Sequence, residues 1–174
     1  MSAKISASIK KRDKPKDVFY TPLALVEEIM PKIVYKEGDI LFDGFYGKGV
    51  FYNNYPDDVV KVWTEISMDK DFFNHDEEVD YCYSNPPYSM INKVLEHTTK
   101  ICRKGFGYLF HFHSLTHSRL RKLEEKGFYL RKLHICKVDK WYGHQAFVVF
   151  LKEKGLCEIS YSLKNFKIDL ESTN

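Results

Sequence analysis

A chain of 174 residues with 44% hydrophobic content fits one domain with a sizeable core; divided further, the pieces would be too small to be stable alone. Its formal net charge of +3 is too modest to establish nucleic-acid binding by itself. Cys82, Cys102, Cys136 and Cys157 are widely spaced without any Cys-x-x-Cys, which excludes a zinc site or a secreted disulfide framework of the usual spacing. No apolar segment follows the start and no stretch approaches the length of a membrane span, so the chain reads as soluble and intracellular, without a membrane partner.

In chain order, residues 1–16 carry Lys4, Lys10, Lys11, Arg12, Lys14 and Lys16 among Ser and Ala. Such a segment has little to bury and is either a disordered solubilising tail or an arm that contacts phosphates. The domain proper is assigned to 17–155. Pro22, after Thr21, sits just inside a helix start, with Leu23, Val26, Ile29 and Met30 on one face and Pro31 near the end. A short apolar strand, Ile40 to Phe42, then runs into Asp43-Gly44-Phe45-Tyr46-Gly47-Lys48-Gly49. Without Cβ atoms the backbone at those glycines can approach a ligand closely. No Gly-Lys-Ser/Thr ending is present, and the glycine spacing fails the dinucleotide pattern, so neither a nucleoside triphosphate nor a dinucleotide is indicated.

A second strand is expected over Val59 to Ile66 and a short central one over Tyr81 to Ser84. Asn85-Pro86-Pro87-Tyr88 follows it directly. The two prolines cannot donate to a ladder and each fixes its own φ, so they end the strand and hold an amide and a carbonyl rigidly at its tip. Tyr88 adds a flat ring suited to a planar substrate carrying an exocyclic amine. A helix from Ser89 to about Arg103 buries Ile91, Val94, Leu95 and Ile101; Gly105 and Gly107 release a strand, Tyr108 to Phe112. Another helix spans roughly Ser118 to Lys126 and ends at Gly127. Phe128 to Val138 and Phe147 to Leu151, separated by Trp141-Tyr142-Gly143-His144, read as an antiparallel pair near the sheet edge. The extension 156–174 alternates and reads as an edge strand or hairpin. Strands alternating with helices give an α/β class, a doubly wound and mostly parallel sheet. Ligands bind such sheets beyond the carboxyl ends of the strands, where Asp43, Glu65 and Asn85 converge.

On these residues the chain resembles the S-adenosylmethionine-dependent adenine amino-methyltransferases. Asp43 to Gly49 is similar to their Asp-Pro-Phe-x-Gly-x-Gly motif, with Gly44 in place of proline, a change expected to loosen the turn. Asn85 to Tyr88 is similar to their catalytic (Asp/Asn/Ser)-Pro-Pro-(Tyr/Phe) motif. The resemblance implies a Rossmann-like methyltransferase sheet and the cofactor S-adenosylmethionine. It assigns cofactor contacts to Tyr20, Thr21 and Pro22 over the methionine end, and to Asp43, Gly44, Phe45, Gly47 and Gly49 in the turn. Glu65 and Ile66 fall at the ribose, and Asp71 and Phe72 at the adenine. The catalytic set is Asn85, Pro86, Pro87 and Tyr88, with Tyr88, Trp141, Tyr142 and His144 against the substrate.

The implied substrate is the exocyclic amine of adenine in nucleic acid, DNA rather than RNA. The chain has hardly enough length for a target-recognition domain, so the substrate grip falls to the basic tail, a short loop, a second copy in a homodimer, or a partner subunit. Two other readings stay open. The same tetrapeptide serves enzymes that methylate the side-chain amide of glutamine in release factors, and a methyltransferase-like subunit can bind nucleic acid without catalysis. His111, His113 and His117 have a spacing that could hold a metal, but no acid completes the set; they read as surface or pocket-rim histidines, and no metal is assigned.

Overall fold

The computed structural model describes residues 20–168, so the basic segment 1–16 and its assigned role lie outside the described residues. Among the described residues seven strands form one sheet: β1 (Ile40–Asp43), β2 (Val60–Trp63), β3 (Val79–Ser84), β4 (Cys102–His111), β5 (Tyr129–Val138), β6 (Gln145–Leu151) and β7 (Glu158–Phe166), in the order β2-β1-β3-β4-β6-β5-β7. Only β6 runs against its neighbours β4 and β5; the remaining pairings are parallel. The helices are α1 (Leu23–Ile29), α2 (Val50–Asn53), α3 (Ile91–Ile101) and α4 (His117–Glu125). This is the doubly wound α/β sheet that the alternation predicts.

Each face of the sheet carries its own core. On one, α3 and α4 bury Ile91, Val94, Leu95 and Leu123 against Phe42, Cys82, Phe106 and Phe150. On the other, α1 and α2 bury Leu25, Val26, Ile29 and Phe51 against Leu41, Tyr83, Val149 and Trp141. Full burial of an aliphatic side chain stabilises by about 1.5–3 kcal/mol, so Val94 and Leu95 of α3 alone are worth several kcal/mol. The Tyr83 hydroxyl reaches across to the segment after α1, accepting from Val34 N at 3.0 Å and donating to Val34 O at 2.7 Å. Cys82, Cys102 and Cys136 are buried free thiols and Cys157 is exposed.

Several boundaries differ from the sequence expectation, each for a physical reason. Pro22 caps α1 rather than entering it, and the buried face uses Leu25 while Leu23 is 44% exposed. β2 stops at Trp63 because the Glu65 side chain caps a 3-10 turn, Ile66–Met68. β4 begins at Cys102, not Tyr108: Gly105 and Gly107 sit inside the strand. A Cβ at Gly107 would lie 2.7 Å from the Tyr83 ring and one at Gly105 2.5 Å from Phe150 O, so both glycines make room for neighbouring strands instead of breaking their own. The short α2 has no signal in the sequence reading. Its N-cap is Gly49, at φ 74°.

Candidate active site

The carboxyl ends of β1, β2 and β3 lie side by side, and the glycine turn is tied to all three. Asp43, wholly buried at the end of β1, accepts from Phe45 N at 3.3 Å and from the Ser84 hydroxyl through Oδ1, and from Tyr52 N at 3.3 Å through Oδ2. Ser84 also accepts from Phe45 N at 3.2 Å. Thr64 donates its hydroxyl to Gly44 O at 2.8 Å and takes the Tyr46 amide on its carbonyl at 3.0 Å. Glu65 takes Gly47 N at 2.8 Å on one oxygen and the Ser67 amide and hydroxyl on the other. The amides of Phe45, Tyr46 and Gly47 therefore all donate within the protein. A phosphate cradle needs such amides open, so the turn is not built for one.

Burial without a cationic partner raises the Asp43 carboxyl to about 7, against the lowering pull of its Ser84, Phe45 and Tyr52 hydrogen bonds. Its place is behind the turn, holding the loop, not on the open surface. Gly44 does not loosen this turn. A Cβ there would stand 2.5 Å from the Phe72 ring, which packs on Phe42 and Phe45 with centroids 5.9 and 4.6 Å away. Absence of a side chain at 44 is what lets Phe72 seat against the turn.

Asn85 leaves the tip of β3 and donates its Nδ2 to Thr21 Oγ1 at 3.1 Å. Tyr20, Thr21, Phe45, Gly47, Lys48 and Asn85 line one small cavity, so the segment before α1, the glycine turn and the Asn-Pro-Pro-Tyr tip are brought together. Ile66, next to Glu65, is 71% exposed. Asp71 caps the turn Phe72–Asn74 by accepting from Phe73 N at 3.0 Å. Tyr88 opens a 3-10 turn after Pro87; its hydroxyl is buried, which holds the phenol well above its ordinary range.

Tyr88 meets His111 edge-on at 6.3 Å, and His111 stacks with His113 at 5.2 Å and with Tyr142 at 5.7 Å. Tyr142 is 86% exposed. It is presented by a loop in which four consecutive carbonyls accept hydrogen bonds. Lys137 Nζ donates to Trp141 O and Gly143 O at 2.5 and 2.7 Å, Gln145 Nε2 to Tyr142 O at 3.1 Å, and Phe112 N to His144 O at 2.8 Å. Trp141, assigned to the substrate with Tyr142 and His144, is buried in the core on the α1 face, in one cluster with Val138 and Phe166. His144 is on the exposed side.

Ser84, Thr64 and Lys137 were not singled out in the sequence. The first two lie at strand ends beside the named motifs, and that adjacency was the available signal; a lysine in a strand-like run reads as an ordinary solvated charge.

No protein-family model and no curated protein matches the chain. Solved structures do. Magnesium protoporphyrin IX methyltransferase from Synechocystis PCC 6803, a structure with bound S-adenosylmethionine, is 10% identical with a TM-score of 0.58, over 75% of this chain and 79% of that one. A type I restriction-modification methyltransferase subunit from Streptococcus thermophilus is 15% identical with a TM-score of 0.56, over 88% and 50%. The M protein of the type I restriction enzyme EcoKI is 11% identical with a TM-score of 0.55, over 88% and 47%. The chain spans about half the length of these two subunits. Among the described residues, no helix is long and apolar enough to cross a membrane. The fold is that of the Rossmann-like S-adenosylmethionine-dependent methyltransferases.

Proposed function

We propose that this chain is an S-adenosylmethionine-dependent methyltransferase that modifies the exocyclic amine of adenine in nucleic acid, DNA in preference to RNA. The observation that carries the reading is the Asn85-to-Thr21 contact at the tip of β3, on the wall of the cavity shared with the glycine turn. The residues present fit the cofactor: the turn's amides are occupied, which suits a nucleoside over a phosphate, and Glu65 with the exposed Ile66 borders the turn where a ribose and adenine would rest. Tyr20, Thr21 and Pro22 would cover the methionine end, and Asp71 with Phe72 the base. S-adenosylmethionine bound there supplies an electrophilic sulfonium methyl.

The chain's own residues act on the nucleophile. An adenine amine is weak because its lone pair is conjugated into the ring. The Asn85 side-chain oxygen and the Pro86 carbonyl accept its two hydrogens and turn the lone pair out of the ring plane. Thr21 engages the nitrogen end of the Asn85 amide, so the oxygen end is the one that meets the amine. Tyr88 stacks on the base once it is unpaired, an interaction worth about 1–3 kcal/mol. No strong base is needed, since the proton becomes acidic only as the new bond forms and water can take it. The exposed Tyr142 and His144 form the far wall, and a second copy or a partner subunit supplies further substrate grip.

The test is to incubate the protein with tritiated S-adenosylmethionine and, separately, duplex DNA, single-stranded DNA, RNA and a release factor. Label in nucleic acid is expected. Label in the release factor alone would replace this reading with the glutamine-amide one.

A further inference from the structure

The outer edge of the sheet carries a pattern that the proposed chemistry does not use. Among the described residues β7 is the last strand, paired on one side only, to β5. Its alternate residues part cleanly between two faces. Ser160 bonds His134 at 2.9 Å, Ser162 and Lys164 reach the Glu28 carboxylate of α1, and Phe166 is buried. Ile159, Tyr161 and Leu163 point the other way and are 66%, 66% and 92% exposed. An unpaired edge with an apolar stripe is a surface that soluble proteins ordinarily blunt or cover.

The sequence of the strand says what covers it. Glu158-Ile159-Ser160-Tyr161-Ser162-Leu163-Lys164 reads symmetrically about Tyr161. Laid antiparallel against itself with Tyr161 opposite Tyr161, it places Ile159 opposite Leu163, Ser160 opposite Ser162, and Glu158 opposite Lys164 at both ends. Cross-strand partners share a face, so the apolar stripes meet on one side and the opposite charges on the other. A shift of two residues sets Glu158 opposite Ser162 or Phe166 and loses both charge pairs; a shift of one sets apolar residues against polar ones. β7 advances four residues, Tyr161 to Asn165, while β5 advances two, Ile135 to Lys137, so β7 carries a bulge in the segment after Tyr161.

We propose that β7 is a self-recognition strand, through which two copies of this chain join their sheets in a two-fold antiparallel pair centred on Tyr161. A single strand pair is a small interface, so the dimer is concentration-dependent. Two measurements on the full chain in a Cys157→Ser background test it. Tyr161→Cys is expected to form an intermolecular disulfide on mild oxidation, whereas Leu163→Cys alone, displaced from its own symmetry mate, is not; Leu163→Cys mixed with Ile159→Cys is. In sedimentation, Glu158→Lys or Lys164→Glu alone is expected to weaken the dimer about tenfold by setting like charges opposite, and a mixture of the two variants to restore it as a heterodimer. Equal crosslinking of Tyr161→Cys and Leu163→Cys, failure of the mixture to recover, or a monomer at every concentration would overturn the proposal. None of these readouts depends on methyl transfer, so they stand or fall apart from the proposed activity.

Discussion

Two turns flank the candidate site, and they are held in opposite ways. The glycine turn after β1 is fixed through its N–H groups, which donate to Asp43, Ser84, Thr64 and Glu65. The turn between β5 and β6 is fixed through its carbonyls, with one lysine ammonium, Lys137, holding two of them. Each contains a glycine whose missing side chain is occupied by an aromatic ring, Phe72 at Gly44 and His111 at Gly143. A carboxylate and an ammonium thus do equivalent work on opposite backbone groups. In the proposed function the first turn faces the cofactor and the second the substrate.

The sharpest way to break that division is at Asn85, which lines a cavity with the first turn. Asn85→Ala is expected to lower turnover by roughly two orders of magnitude or more, with cofactor affinity by calorimetry little changed. Loss of both together would make Asn85 structural. Next in size, Gly44→Ala forces a Cβ against Phe72. We expect a loss of about 1–3 kcal/mol in denaturant unfolding, together with weaker cofactor binding and an unchanged nucleic-acid Kd. Gly143→Ala is the mirror experiment. With φ at 64° and a Cβ 2.7 Å from His111 Nε2, it should displace the Tyr142–His111 stack and raise KM for nucleic acid about tenfold, leaving cofactor affinity alone. If either variant moves the other ligand's binding equally, the two turns are not separate devices.

A smaller effect tests how the first turn is held. Burial raises the Asp43 carboxyl from 3.8 to about 7, so the folded chain retains a proton that the unfolded chain releases. The stability linked to that proton is full below about pH 4 and is lost as pH rises through 7. Relative to the non-titrating Asp43→Asn, the wild type should therefore lose stability across that window and level off above it, read from denaturant midpoints at a series of pH values. A flat difference would mean that the carboxylate is better compensated than its burial implies. Smallest of all, Lys137→Met should loosen only the second turn, raising KM for nucleic acid a few-fold.

Legibility followed the same division. The glycine turn and the tip of β3 were readable because backbone demands, three glycines in the one and a strand-ending proline pair at the other, leave marks on residue type that survive without any relative for comparison. The doubly wound, mostly parallel class followed from alternation. What was not readable depended on contacts between distant segments. Gly105 and Gly107 looked like strand breakers, since the Tyr83 ring that requires Gly107 is 24 residues away in the chain and carries no local signal. Gly44 looked like a loosened proline position for the same reason, as Phe72 comes from beyond β2. Trp141 shared a loop with Tyr142, yet one ring is core and the other solvent, a distinction that only packing decides.

The central claim is that Asn85 at the tip of β3 presents an adenine amine for methylation. Its most direct test is to digest the nucleic acid recovered after incubation with S-adenosylmethionine and identify the modified nucleoside by mass spectrometry, for the wild type and for Asn85→Ala. The account predicts a methyl group on the exocyclic nitrogen of adenine with the wild type, and its near absence with the variant. A methyl group on a ring carbon or on another base, or equal yields from the two proteins, would contradict it.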